Sequence, residues 1–170
     1  MYTRHALVDT VLGEVTVVAS DEAVVGLYFP HHWYLPSEDS LGLRVDVEGD
    51  AVLEAVRTQL TEYLAGERHT FDLATATSGN PLQERVWAIL REIPYGGTTT
   101  YGEIAERLGD KALAQAVGQA NGHNPISIIV PCHRVVGKDG RLTGYAGGLR
   151  RKQFLLDLEE PASVKASRLF

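Results

Sequence analysis

The chain has 170 residues, of which 44% are hydrophobic and 22% charged, and its formal net charge is −6 at pH 7. This length predicts one or two small domains, and the hydrophobic content excludes a disordered chain because it suffices for a buried core. A single cysteine excludes an internal disulfide and a four-cysteine zinc site, and it is typical of a reducing compartment.

The sequence lacks the usual signals of export and membrane insertion. Residues 1–6 do not begin an apolar signal segment, and no stretch reaches the about 18 apolar residues that a membrane span needs. We therefore expect a soluble, cytoplasmic protein without a membrane partner.

The charges are divided unevenly along the chain. Residues 1–80 carry 4 Lys or Arg and 13 Asp or Glu, a balance of −9, whereas residues 81–155 carry 10 and 6, a balance of +4. A basic part joined to an acidic part is the asymmetry expected when one part touches an anionic polymer. A balance of +4 is equally compatible with a solvated surface, so charge alone leaves nucleic-acid binding open.

The first elements are short strands. β-branched runs at residues 6–8, 15–19 and 24–29, separated by turn formers, predict an antiparallel meander. Residues 30–49 are predicted to form a long loop. Its neighbouring His31 and His32 would point in different directions and lack a suitably spaced third ligand, so no metal site is predicted.

A helix and a boundary follow. Asp50 is a candidate cap for a helix over residues 51–64, whose predicted buried stripe is Val52, Val56, Leu60 and Leu64. The small and polar residues 74–80 predict a boundary between domains at 1–77 and 78–170.

Three helices are predicted between this boundary and residue 121. The first runs from Pro81 to about Ile93 with Trp87 as a core anchor. Thr100 is a candidate cap of the second, with Glu103 at capping-box spacing, and residues 111–121 form the third. The last two resemble a helix-turn-helix, although many helical hairpins bind nothing.

The only cysteine lies in the most informative stretch. Residues 128–130 predict a buried strand, which Pro131 would end, so that Cys132 is presented to a cleft beside His133 and Arg134. A cysteine attacks as its thiolate, which histidine or a nearby cation favours. The alternative is that a lone cysteine is only a small buried hydrophobe.

The remaining elements are a turn at residues 137–140, a glycine-rich loop at 142–149 and a helix at 150–160. On this last helix the pattern predicts buried side chains at Phe154, Leu155 and Leu158.

The run from Asn124-Pro125 through Ile128-Ile129-Val130-Pro131-Cys132-His133-Arg134-Val135-Val136 resembles the active-site signature of the O6-alkylguanine-DNA alkyltransferases. The resemblance extends in register from about Pro81 to Glu159 and more weakly to the N-terminal part. It implies an α/β (α+β) fold. The N-terminal part would be a ribonuclease-H-like small antiparallel sheet with a helix, and the C-terminal part would be mainly helical and winged-helix-like, with a helix-turn-helix and a cysteine turn.

The resemblance also implies a function. The protein would repair double-stranded DNA by flipping out O6-alkylguanine, and also O4-alkylthymine, and moving the alkyl group irreversibly to Cys132. Each molecule would act once, as a monomer that can cluster on DNA, with no metal and no organic cofactor.

The site residues are likewise implied by the resemblance. Cys132 would be the acceptor, His133 its base through a water, Glu159 the group that orients His133, and Asn124 a tie between the helix and the cysteine turn. Tyr101, the carbonyls of Cys132 and Val135, Tyr145, and the amides of Ala146 and Gly147 would hold the purine.

The second helix of the pair would lie in the minor groove with few side chains able to read bases. Its contacts would come from Gln115, Ala116, Gly118 and Gln119, with Lys138 and Arg141 on phosphates. The family usually has an arginine where this chain has Gln115, so we expect weaker base flipping and DNA affinity with intact thiol chemistry.

Two other functions remain open at this stage. The protein could be a lesion-binding alkyltransferase-like module, although those lack the acceptor cysteine. It could also be a cysteine hydrolase with Asn124 or Glu159 orienting His133, although no oxyanion hole is evident.

Overall fold

The N-terminal part of the computed structural model is a small sheet with one helix; the structure describes residues 2–162 and Val164. The elements are β1 (Thr3–Thr10), β2 (Gly13–Ser20), β3 (Ala23–Tyr28), β4 (Leu43–Arg44) and α1 (Ala51–Leu64). The sheet order is β3-β2-β1-β4, with antiparallel pairs except for β4, which is parallel to β1. The predicted meander is confirmed.

The segment between β3 and α1 is not all loop, contrary to the prediction for residues 30–49. It contains a 3-10 turn at Glu38–Leu41 and the two-residue strand β4. Both elements are too short to produce a hydrophobic period, so the sequence pattern could not reveal them.

Helix α1 begins as predicted, because the Asp50 carboxylate accepts from the amides of Val52 and Leu53. Its buried face is rotated from the predicted one and consists of Leu53, Val56, Leu60 and Tyr63. A spacing of four drifts around a helix of 3.6 residues per turn, whereas alternating steps of three and four stay on one face. Val52 and Leu64 are therefore only half-buried.

The C-terminal part is mainly helical. It contains α2 (Pro81–Glu92), β5 (Thr99–Thr100), α3 (Tyr101–Arg107), α4 (Ala114–Gly122), β6 (Val135–Val136) and α5 (Leu149–Glu159). Strands β5 and β6 form a parallel pair. A small sheet with a helix followed by a mainly helical part is the predicted fold class, which is confirmed.

The predicted helix pair is present as α3 and α4. The Thr100 hydroxyl accepts from the Glu103 amide at 3.1 Å, while the Glu103 carboxylate accepts from the Thr99 hydroxyl instead of completing a capping box. Trp87 anchors α2 to the pair, because its indole Nε1 donates to the Ala120 carbonyl at 2.8 Å. Residues Lys111–Leu113 form a 3-10 turn, so α4 begins later than predicted.

The strand predicted at residues 128–130 is wrong. This segment is a succession of turns in which the Val130 amide donates to the Ile126 carbonyl at 2.9 Å, and Ile128 has a φ of 72°. Ile128 and Val130 are buried because the core surrounds the turn. A run of apolar residues indicates that a segment is buried, but it does not distinguish a buried turn from a buried strand.

The inner face of α5 also differs from the prediction. Phe154 is 37% exposed and Leu158 is half-buried, whereas Lys152, Leu155 and Glu159 face inward. The charged side chains of Lys152 and Glu159 can lie on the buried face of α5 because each forms hydrogen bonds inside the protein. Within residues 2–162 and Val164, the longest apolar helical stretch falls short of what crossing a membrane requires.

Candidate active site

Cys132 opens a 3-10 turn, Cys132–Arg134, directly after Pro131 and is 2% exposed. Its burial raises the pKa of the thiol, while the Asn124 and Ser127 side chains and the Lys152 charge act in the opposite direction. The thiol is therefore protonated at rest, and forming the thiolate requires a base.

The amide of Asn124 holds the cysteine turn together. Its Nδ2 donates to the Val130 carbonyl at 2.7 Å, and its Oδ1 accepts from the Ile126 amide at 3.0 Å. Asn121 on α4 adds a bond from its Nδ2 to the Cys132 carbonyl at 3.3 Å. These bonds fix the cysteine turn against the end of α4.

His133 is fully buried, and Glu159 fixes its orientation. The imidazole Nε2 lies 2.8 Å from Glu159 Oε2. Burial lowers the pKa of His133 although Glu159 opposes this effect, so the ring is neutral at physiological pH. A neutral ring that donates through Nε2 to a carboxylate leaves Nδ1 as a proton acceptor, and Nδ1 has no partner among the described residues.

Glu159 is kept ionised by three side-chain donors, and its Oε1 also accepts from the Gly96 amide at 3.3 Å. Besides His133, Arg134 donates through Nε to Oε1 at 2.7 Å and through a terminal nitrogen to Oε2 at 2.9 Å, and the Tyr63 hydroxyl donates to Oε2. Burial would raise the pKa of Glu159, but the bonds from His133 and Arg134 hold it below its ordinary value. The carboxylate is therefore an anion that can stabilise a charged imidazolium.

Two residues of the site, Tyr63 and Lys152, were not predicted from the sequence. Tyr63 comes from α1 in the N-terminal part, and its contact with Glu159 spans 96 residues, so no local pattern signals it. Lys152 is fully buried, and its Nζ donates to the Gly144 carbonyl at 2.8 Å. Burial lowers its pKa to about 8. Its spacing of three from Leu155 and seven from Glu159 could have revealed an inward-facing lysine.

A cleft of about 520 Å³ lies between α4 and the glycine-rich loop. Tyr101 and Tyr145 both line it, and Tyr101 accepts a hydrogen bond from the Thr143 hydroxyl at 3.2 Å. Asn121 lines the same cleft and contacts the Cys132 carbonyl, so the cysteine turn lies directly behind the cleft wall.

The two parts of the chain match two family models. Residues 3–77 match the 6-O-methylguanine DNA methyltransferase ribonuclease-like domain, and residues 81–161 match the DNA binding domain of the same name. A Mycolicibacterium paratuberculosis protein named methylated-DNA–protein-cysteine methyltransferase is 45% identical over 167 residues, which cover 98% of each chain. The chain belongs to the 6-O-methylguanine DNA methyltransferase family.

Solved structures of this family share the fold. A Mycobacterium tuberculosis OGT in complex with DNA matches with a TM-score of 0.82 at 40% identity, over 95% of this chain and 97% of the other. The Mycobacterium tuberculosis O6-methylguanine methyltransferase matches with a TM-score of 0.81 at 39% identity, over 97% and 99%. The resemblance inferred from the residues around Cys132 is confirmed.

The residues that the family resemblance assigns to the purine are only partly gathered in the cleft. Tyr101, Tyr145 and Ala146 line it. Val135 is buried in β6, and the Cys132 carbonyl already accepts from Asn121 and from the Val135 amide. Gly147 packs under Phe29, where a Cβ would lie 2.4 Å from the phenyl ring, so only glycine fits this position.

The residues assigned to DNA are spread over two surfaces. Gln115, Gly118 and Gln119 line the cleft from α4, and Ala116 is half-buried on the same helix. Lys138 and Arg141 are exposed beyond β6, and Lys138 shares a shallow depression with Tyr101 and Lys111. Among the described residues, no group of three histidine, cysteine or acidic side chains could hold a metal ion.

Proposed function

We propose that this protein repairs alkylated double-stranded DNA by moving an alkyl group from O6 of a flipped-out guanine to the sulfur of Cys132. The observation that carries this proposal is the neutral His133, oriented by an ionised Glu159 and adjacent to the buried Cys132. The name of the relative with 45% identity and the DNA complex of the Mycobacterium tuberculosis protein support both the chemistry and the partner.

The reaction is a displacement at carbon. The Cys132 proton passes through a water to Nδ1 of His133, and the imidazolium that forms is stabilised by Glu159. The thiolate then attacks the alkyl carbon, the S–C bond forms, and the C–O6 bond breaks with its electrons going to guanine. Guanine regains a proton at N1, which we assign to the Tyr101 hydroxyl on the cleft wall, and the proton held by His133 restores Tyr101 through solvent.

The product explains why each molecule acts once. A thioether has no hydrolytic exit, so Cys132 remains alkylated, and the added carbon strains a fully packed site. The buried sulfur also requires the base to leave the stack, at a cost of a few kcal/mol. O4-alkylthymine carries an equivalent O-alkyl carbon, and we propose it as a second substrate.

The two parts of the chain would divide this work near residues 77–78. The junction between the two family models, after residue 77 and before residue 81, supports this boundary. Residues 78–170 supply Cys132, His133 and the DNA-facing helix, while the N-terminal part steadies Glu159 through Tyr63.

Stoichiometry distinguishes this function from its alternatives. The protein is incubated with an excess of duplex DNA that contains O6-methylguanine, and the repaired guanine is counted per protein molecule. Transfer predicts a plateau at one equivalent. Continued turnover would indicate a hydrolase, and tight binding without repair would indicate a lesion-binding module.

Gln115 is expected to limit the reaction on DNA. It is exposed on the first turn of α4 and lines the cleft, where a guanidinium could replace the extruded base in the stack. Gln115→Arg should raise the rate on O6-methylguanine in a duplex about tenfold, the factor that corresponds to 1.4 kcal/mol. The rate on the free O6-methylguanine base should not change.

Gln119→Arg is the matched control, because it adds the same charge one turn further along α4, also on the cleft wall. A charge effect alone would raise the duplex rate equally in both variants. An unchanged duplex rate in Gln115→Arg would contradict the assigned role of position 115.

A further inference from the structure

The loop after β3 brings aromatic side chains from the N-terminal part to the cleft. Trp33 and Tyr34 both line the cleft of about 520 Å³, next to the C-terminal end of α4. Sequence analysis assigned this loop no role, and the alkyl-transfer chemistry described above does not use it.

The backbone of this loop is fixed to the glycine-rich loop. The Trp33 amide donates to the Ala146 carbonyl at 3.1 Å. Before it, His32 is 5% exposed and accepts from the Phe29 amide through Nδ1 at 3.3 Å. The backbone position of Trp33 is therefore set by its own amide and by the buried residue before it.

The indole of Trp33 lies between two glycines. A Cβ built on Gly144 would be 3.2 Å from the indole Cη2, and a Cβ built on Gly122 would be 3.8 Å from its Cε3. Gly122 ends α4 and Gly144 belongs to the glycine-rich loop, so one edge of the indole lies close to both walls of the cleft. Any larger residue at Gly144 would press on the ring.

Among the four aromatic residues that line the cleft, Trp33 has the largest exposed fraction, 58%, against 48% for Tyr34. Tyr145 is 3% exposed, so its ring offers no free face, and Tyr34 stacks on His123 with ring centroids 3.6 Å apart. Trp33 is 58% exposed although its backbone is anchored. A large, positioned and uncovered aromatic surface is what a planar base needs for stacking.

We propose that Trp33 supplies the aromatic face on which the extruded alkylguanine stacks before its alkyl group reaches Cys132. This inference rests on the proposed function. The small residues along the cleft, among them Gly118, Gly122 and Ala146, leave room for a flat ligand but offer little contact area. Trp33 therefore determines how tightly the purine is held, and the N-terminal part contributes directly to substrate binding.

The test separates binding from chemistry with the free O6-methylguanine base, which makes no contact with DNA-binding surfaces. Trp33→Ala should raise the base concentration that gives half of the maximal rate about tenfold, as the loss of one base stack predicts, without changing the maximal rate. Trp33→Phe keeps an aromatic face and should retain most of the affinity. Leu35→Ala is the matched control, because Leu35 is 55% exposed on the same loop.

A second readout uses the indole itself. In a Cys132→Ala background, titration with the free base should quench the emission of Trp33, and Trp33→Phe should abolish this signal. The other tryptophan, Trp87, is buried and should report little of the titration.

The outcomes are distinct. If the parent protein transfers the alkyl group and Trp33→Ala behaves like Leu35→Ala with the free base, the proposal for Trp33 is wrong while the alkyl-transfer function stands. A loss with duplex DNA but not with the free base would likewise overturn it, since Trp33 would then touch DNA outside the cleft. If the parent transfers nothing, the alkyl-transfer function fails, and the emission titration alone decides whether Trp33 binds the purine.

Discussion

Replacing Glu159 by glutamine is expected to slow alkyl transfer by about 100-fold or more, because the base His133 loses the charge that stabilises its protonated form. The same change leaves the buried guanidinium of Arg134 without its counter-ion. Removing one partner of a buried ion pair costs about 3 kcal/mol of unfolding free energy. Single-turnover rates and urea unfolding measure the two effects.

Glu92→Gln is the control for this prediction, because Glu92 pairs with Arg107 in an exposed salt bridge at 2.6 Å. Its loss should change stability by no more than about 0.5 kcal/mol and should not change the rate. If Glu159→Gln transferred the alkyl group as fast as Glu92→Gln, Glu159 would have no role in catalysis. Glu159→Asp keeps the charge with a shorter reach and provides a folded comparison if the glutamine variant does not fold.

The pH dependence of stability gives a further check on Glu159. Its pKa is lowered in the folded protein, so its stabilising contribution is complete above the unfolded pKa of about 4.3 and is lost as the pH falls below that value. Glutamine cannot titrate. The stability of Glu159→Gln should therefore fall less steeply than that of the parent between about pH 5 and about pH 3.

The second large effect is expected at Asn124. Asn124→Ala removes the partner of two buried backbone groups, the Val130 carbonyl and the Ile126 amide. Each buried group left unsatisfied costs about 1–3 kcal/mol, so we expect a loss of about 3 kcal/mol in unfolding free energy. Because the cysteine turn loses the hydrogen bonds that position Cys132, the transfer rate should also fall by at least about tenfold.

Asn80→Ala provides the comparison for Asn124. Asn80 caps α2 through the Gln83 amide at 2.8 Å and is exposed, so its loss should cost about 1 kcal/mol and leave the transfer rate unchanged. Equal rates for the two variants, measured where both are folded, would show that the Asn124 bonds do not position Cys132.

The sequence predicted those features whose signals are local. The strands of the meander, the Asp50 and Thr100 caps and the helix pair follow from short-range patterns, and the structure contains them. The hydrophobic pattern predicts a strand for the turn at residues 128–130 because all three residues are apolar. Its course depends on the side chain of Asn124 and on a positive φ at Ile128, which a hydrophobic pattern does not encode.

The site residues that the sequence did not predict were missed for a different reason. Tyr63 reaches Glu159 across the interface between the two parts of the chain, and Trp33 reaches the cleft from a loop without periodicity. The hydrophobic pattern predicts a buried Phe154, which is 37% exposed, while Lys152 is buried because the Gly144 carbonyl gives its Nζ an internal partner. Long-range contacts of this kind become visible only when the fold is known.

The most direct measurement locates the alkyl group after the reaction. The protein is reacted with duplex DNA containing O6-methylguanine with an isotopically labelled methyl group, then digested, and the labelled peptide is sequenced by mass spectrometry. Transfer to sulfur predicts one label per molecule, on Cys132, and no label in Cys132→Ala. Repair of the lesion by Cys132→Ala at the parent rate, or a label on any other residue, would contradict the mechanism.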